Sequence, residues 1–267
     1  MLKTRLLAAA VMIPAAILWV WLAPPLVFAA IAAVVVLAAA WEWAVLAGVK
    51  SGLTHGAWLV TILGLLILAW WGLRQTAWDV LPLLWVFLAF WVVMALDLVR
   101  GGVRNSRPGL LLQGVVVLVP AFFALLLIRG MAAGSGLIFA LFAVVWGADA
   151  GAYFAGRAVG RHKLAPRLSP GKTWEGLIGG LVLAAVAGAL ASLWCPVPIQ
   201  ALVPLAVVTA AFSVVGDLVE SRLKRASGAK DSGHLIPGHG GVLDRIDSLG
   251  AAAPVFALGL VWVHRLW

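Results

Sequence analysis

Residues 25–47 read PLVFAAIAAVVVLAAAWEWAVLA, an uninterrupted apolar run with a single charge, Glu42. A bilayer core about 30 Å thick takes about 20 helical residues at a rise of 1.5 Å each, so this run is long enough to cross. Comparable stretches fall at roughly 6–22, 57–73, 80–98, 109–128, 131–155, 176–194, 199–219 and 247–265. About nine spans are therefore expected. The fallback is eight, if the Ala23-Pro24-Pro25 turn makes the first two spans a kinked hairpin that does not fully cross. The expected fold is all-α: a polytopic integral membrane helical bundle with a polar cavity facing the cytoplasm.

Composition agrees. Of 267 residues, 64% are apolar and only 11% charged, against about 25% charged in a soluble domain. Mean hydropathy is +1.09. Such a chain cannot cover a water-facing surface, so lipid is its main solvent. The lone Cys195 excludes an intramolecular disulfide and any multi-cysteine metal centre. The net charge of +9 lies in short loops between apolar runs, which argues against nucleic acid as a partner.

Lys and Arg also set orientation. With the N-terminus inside, 16 of the 19 fall on inner segments; only Arg74, Arg129 and Arg265 fall outside. A cytoplasmic N-terminus follows, with the C-terminus outside if the count is nine. Residues 1–22 resemble a signal peptide but are read as an uncleaved anchor. The 15 Trp against one Tyr suit an interfacial aromatic belt, some of them filling helix contacts instead.

The chain divides by its acids. Residues 1–140 hold only Glu42, Asp79 and Asp97, and read as scaffold and lipid contact. Residues 141–267 hold Asp149, Glu175, Asp217, Glu220, Asp231, Asp244 and Asp247, and read as the chemical half of one integral membrane domain. Asp149 lies near the inner end of a span, where a charge is costly and implies a role. Gly171-Lys172-Thr173 suggests a phosphate loop, but the glycine required five residues earlier is Pro166. Gly238-His239-Gly240-Gly241 fails as a dinucleotide loop because residue 243 is Leu. What remains is a set of short Gly-rich loops whose N–H groups and cations suit phosphates. His239 between glycines suits a base, a phosphate donor or a turn residue.

Asp217 and Glu220 stand i,i+3 on one helical face, and Asp244 and Asp247 repeat the spacing. Spans eight and nine share an inner loop, so these carboxylates can meet around a hard divalent cation such as Mg²⁺. The competing reading is structural: Glu220 paired with Lys224 at i,i+4, and Asp244 or Asp247 favouring a helix N-terminus.

Residues 221–247 carry Ser-Arg-Leu-Lys-Arg, four residues, Lys-Asp-Ser-Gly, two residues, then Ile-Pro-Gly-His-Gly-Gly-Val-Leu-Asp-Arg-Ile-Asp. This string resembles the signature of phosphatidate cytidylyltransferases, the CDP-diacylglycerol synthases. The stretches 149–163, 169–176 and 216–218 resemble that family too, with Gly171 standing where many members carry a second Lys. The resemblance implies that CTP and phosphatidate give CDP-diacylglycerol and diphosphate, with Mg²⁺ and a K⁺ beside it. It implies a homodimer in a bacterial cytoplasmic (inner) membrane. It also implies that Asp217, Asp244 and Asp247 hold the metal and, with Lys172, form the catalytic set. Around them the expected substrate contacts are Asp149, Ser169, Lys172, Thr173, Glu175, Ser221, Lys224, Arg225, Lys230, Asp231, His239, Gly240, Gly241 and Arg245. Two rivals fit less well. A CDP-alcohol phosphotransferase lacks its Asp-Gly…Ala-Arg pattern here, since Leu218 follows Asp217. A secondary transporter would need paired broken spans in two related halves.

Overall fold

The computed structural model describes residues 14–75, 79–100, 106–236 and 240–266. Helix α1 covers 14–22. Eight helices of spanning length follow: α2 (Pro25–Leu46), α3 (Gly52–Gly72), α4 (Leu81–Val99), α5 (Arg107–Gly130), α6 (Gly134–Val159), α7 (Trp174–Ala191), α8 (Ile199–Ala226) and α9 (Leu243–Leu266). The chain is thus a multi-pass membrane protein, with eight spans among the described residues. Residues 6–13 of the expected first span lie outside them, and its residues 14–22 form α1.

Local sequence sets the helix boundaries. Pro25 opens α2 at a position where its missing N–H would be unpaired anyway. Ser106 and Thr173 accept the N–H groups of Gly109 and Gly176 and so cap α5 and α7. In lipid no water completes a broken ladder or a free indole N–H, so a carbonyl within reach of a buried tryptophan is a favoured partner. Trp43 donates to the Leu110 carbonyl at 2.8 Å, and Trp58 to that of Ala40, also at 2.8 Å. These two rings stitch α2 to α5 and to α3.

The helices alternate in direction. At one end, Arg129 donates to the Ala23 carbonyl at 3.1 Å and Ser135 to that of Val20 at 3.0 Å. At the other end Glu42 meets the loop before α9. Cys195 lies beyond α7, toward the first of these ends; it is buried, and burial pushes its thiol up to about 11.

Two departures from the sequence reading bear on the site. Helix α8 runs seven residues past the expected end of its span. Hydropathy falls after Val219, yet Glu220, Arg222, Leu223, Lys224 and Arg225 are good helix formers, and Glu220 pairs with Lys224 one turn on. The segment after α6, expected as loop, contains a two-stranded antiparallel hairpin. Here β1 (Lys163–Ala165) pairs with β2 (Ser169–Thr173), Lys163 facing Thr173. Its open end is pinned where the Trp174 N–H donates to the His162 carbonyl at 2.9 Å. The hairpin stands over the ends of α6 and α7.

Candidate active site

Close packing of small residues assembles the site. A Cβ on Gly151 of α6 would lie 2.5 Å from the carbonyl oxygen of Gly179 on α7, so a larger residue does not fit there at this helix spacing. This contact holds Asp149 against the hairpin that follows α6. Gly216 does the same for α8 and α9, where a Cβ would lie 2.5 Å from the Asp247 carbonyl. The first turn of α9 therefore rests on α8, one residue before Asp217.

The result is a cluster of acids. Carboxylate oxygens of Asp217, Glu220 and Asp247 lie within 4.8 Å of one another. Charges of one sign this close repel strongly in a low-dielectric site, and a cation placed between them relieves that repulsion. Two lysines border the cluster. Lys172 of β2 pairs with Asp217. Lys224 bridges Glu220 Oε2 at 2.5 Å and Asp244 Oδ1 at 2.7 Å. Ser221 donates weakly to Asp217 Oδ1 at 3.4 Å.

Asp244 is placed differently from the other two aspartates expected beside it. Its Oδ2 accepts from the N–H groups of Ser232 and Gly241, both at 2.9 Å, and lies 3.0 Å from the Ser232 hydroxyl. Asp244 thus closes the loop before α9 and faces Lys224, while Glu220 completes the three-acid cluster with Asp217 and Asp247.

Two cavities are lined by members of the cluster. One, of about 160 Å³, is almost entirely apolar, with Val36, Val117, Phe122, Phe142 and Trp146 in its wall. Glu220, Arg245 and Asp247 line it as well. The other, of about 320 Å³, has Asp149, Tyr153, Ser169, Lys172, Thr173 and Asp217 around it. An acid cluster between a greasy chamber and a polar one suits a reaction that joins a lipid to a charged, water-soluble substrate.

Comparison with known proteins points the same way. Residues 3–263 match the cytidylyltransferase family. The chain belongs to that family. It is 44% identical to the phosphatidate cytidylyltransferase of Pseudomonas aeruginosa, over 98% of this chain and 97% of that one. It is 40% identical to the Haemophilus influenzae protein of the same name, over 96% of this chain and 98% of the other. Identity reaches 56% with the Brucella suis phosphatidate cytidylyltransferase, over 44% of each chain.

Several residues of this cytidylyltransferase singled out by sequence have structural partners. Thr173 caps α7. Glu175 accepts from the N–H groups of Arg161 and His162 at 3.1 and 3.2 Å and pairs with His162 Nδ1 at 2.6 Å. Arg225 donates to the carbonyls of Leu168 and Ala229, tying the end of α8 to the hairpin turn. Lys230 and Asp231 are exposed on the loop. Gly240 adopts φ +83°, a left-handed conformation that glycine takes without strain, and packs on Asp244. His239 lies outside the described residues. Of the earlier acids, Glu42 reaches the loop before α9, and Asp97 makes a helix-to-helix contact with Arg222 of α8. The signal was the cost of a carboxylate in an apolar helix, which demands a partner somewhere.

Proposed function

We propose that this chain makes CDP-diacylglycerol and diphosphate from CTP and phosphatidate at the boundary between the two cavities. The observation that carries the reading is the position of Asp217, Glu220 and Asp247, which stand where an apolar chamber and a polar, lysine-bearing chamber adjoin. Acyl chain suits the first, and the triphosphate of CTP suits the second. The family resemblance supports the substrates, and the names of the relatives support the reaction.

The chemistry follows from charge. A phosphatidate phosphate oxygen attacks the α-phosphorus of CTP, the bond to the β-phosphate oxygen breaks, and diphosphate leaves. The nucleophile is already ionised near neutral pH, so no strong general base is required. Alignment and charge neutralisation carry the acceleration. Lys172, on a hairpin clamped to α6 and α7, presents an ammonium to the polar cavity for the triphosphate. Arg245 presents a guanidinium at the apolar cavity, suited to the phosphatidate headgroup. Lys224 holds Glu220 and Asp244 in register from between them.

The donor set suits a hard divalent cation, since carboxylate oxygens are what Mg²⁺ prefers. Asp217 and Asp247 would hold it with Glu220 beside them and Asp244 behind Lys224; when bound it would neutralise phosphate charge. Placement in a cytoplasmic membrane with the site facing inward belongs to the same proposal. It is supported by the excess of Lys and Arg on the segments nearest the site. Homodimer formation, supported by the family resemblance, is tested by cross-linked mass in native membranes.

The test uses membrane vesicles containing the protein, phosphatidate, Mg²⁺ and CTP labelled at the α- or γ-phosphate. The expected result is α-label in the lipid fraction and γ-label released as diphosphate. Failure of α-label to enter lipid would overturn the reading.

A further inference from the structure

We propose that Glu42, on a helix remote in sequence from the acid cluster, is a positioning residue for that cluster. It fixes the loop before α9 and so sets where Asp244 and Asp247 stand against Asp217 and Glu220. The proposal deepens the functional reading above and rests on it for its activity measurements.

Glu42 is 2% exposed near the end of α2, and both of its carboxylate oxygens are committed. Oε1 accepts from the Val242 N–H at 3.0 Å. Oε2 accepts from the Leu243 N–H at 2.8 Å and from the Ser232 hydroxyl at 2.7 Å. Two of these donors are backbone groups where α9 begins. They would otherwise be unpaired, and a negative charge there also suits the helix dipole. Glu42 therefore does from α2 what a local N-cap residue does at an ordinary helix start.

The loop is shaped around this carboxylate. A Cβ on Gly233 would lie 2.5 Å from Glu42 Oε1, and one on Gly241 would collide with Oε2 and with the Ser232 hydroxyl. A continuous chain of contacts then leads into the cluster. Ser232 touches Glu42 and Asp244, Asp244 pairs with Lys224, and Lys224 pairs with Glu220. Every link is a hydrogen bond or ion pair, so displacing Glu42 loosens the acids at the far end without touching them.

All of the partners of Glu42 are donors, which makes the amide an informative replacement. Glu42→Gln keeps the size but turns an NH₂ group toward an N–H or O–H. Glu42→Asp keeps the charge but retracts it by one methylene. Ser232→Ala leaves the two backbone bonds to Glu42 and the Ser232 N–H on Asp244, and removes only the hydroxyl that joins Glu42 to Asp244.

The experiment uses the full chain in lipid nanodiscs. It reads kcat and KM for CTP and phosphatidate, the thermal midpoint, and Mn²⁺ binding by electron paramagnetic resonance without substrates. For Glu42→Gln, kcat should fall about 10–100-fold with both KM values within about three-fold, and Mn²⁺ affinity should weaken about ten-fold. Ser232→Ala should reproduce the direction at about one third of the size, with the midpoint unchanged. If Glu42→Gln binds Mn²⁺ and turns over like the parent, the proposal fails. It also fails if Glu42→Gln unfolds while Ser232→Ala and Glu42→Asp keep parental kcat and Mn²⁺ affinity, because Glu42 is then only a fold contact. A parent protein that makes no labelled lipid would remove the functional reading instead, leaving the Mn²⁺ comparison to judge Glu42.

Discussion

The acids of residues 1–140 and those of residues 141–267 behave in opposite ways. In the later region Asp217, Glu220 and Asp247 crowd against one another. In the earlier region no two acids meet among the described residues, and each reaches across to the later one. Glu42 holds the loop before α9, Asp97 pairs with Arg222 of α8, and Asp79 pairs with Arg265 near the end of α9. A charge in or near lipid needs a partner, and an apolar helix face offers little to choose between one neighbour and another. The sparse early acids therefore tell α2 and α4 where to dock, while the crowded later ones hold repulsion ready for a ligand.

That contrast can be broken by mutation, and the largest effect belongs to the crowd. Asp247→Asn and Asp217→Asn should each lower kcat by about 10²–10³-fold in the vesicle assay. Measured without divalent cation, the thermal midpoint of Asp247→Asn should hold or rise, because a repulsive partner has gone. Activity within three-fold of the parent would separate the cluster from the reaction. Next, Lys172→Ala should lower kcat/KM for CTP about 10–100-fold, the scale of a charge-assisted hydrogen bond. Steady-state kinetics at saturating phosphatidate reads it, and an unchanged value would take Lys172 out of the polar cavity's work.

The early acids should answer in stability rather than turnover. Asp97→Asn strips the charge from a half-buried pair with Arg222 and should destabilise by about 1–3 kcal/mol, with activity per folded molecule retained. Thermal unfolding followed by the assay on the surviving fraction distinguishes the two readouts. The smallest effect is expected at Asp79, which is exposed and paired with an exposed Arg265. Asp79→Asn should leave the thermal midpoint and turnover unchanged; a clear drop in either would mean that this surface pair also fastens the bundle.

The spans were legible because lipid punishes polar backbone and side chains so uniformly that hydropathy alone marks them. The i,i+3 acid pairs were legible for a similar reason, since helical spacing puts such residues on one face. Spacing could not say which member of a pair the loop would consume. Asp244 and Asp247 have the same spacing as Asp217 and Glu220, yet Asp244 turns back to the N–H groups of Ser232 and Gly241. That choice depends on a loop conformation held by Glu42, whose partner Ser232 is 190 residues away. Hydrogen bonds at such separation leave no periodic trace in a sequence. The β1–β2 hairpin escaped for a related reason: Ser169-Pro170-Gly171-Lys172-Thr173 shows no alternating apolar pattern, and its pairing is fixed by contacts at Thr173, Trp174 and Glu175.

Cys195 gives the chain an experimental convenience. Its thiol is shielded and stays protonated at neutral pH, so maleimide reagents should pass it by. A reporter cysteine introduced at exposed Lys230 would then be read against an almost silent background, and its labelling in sealed vesicles from one face or the other would fix the sidedness of the whole molecule without first building a cysteine-free parent.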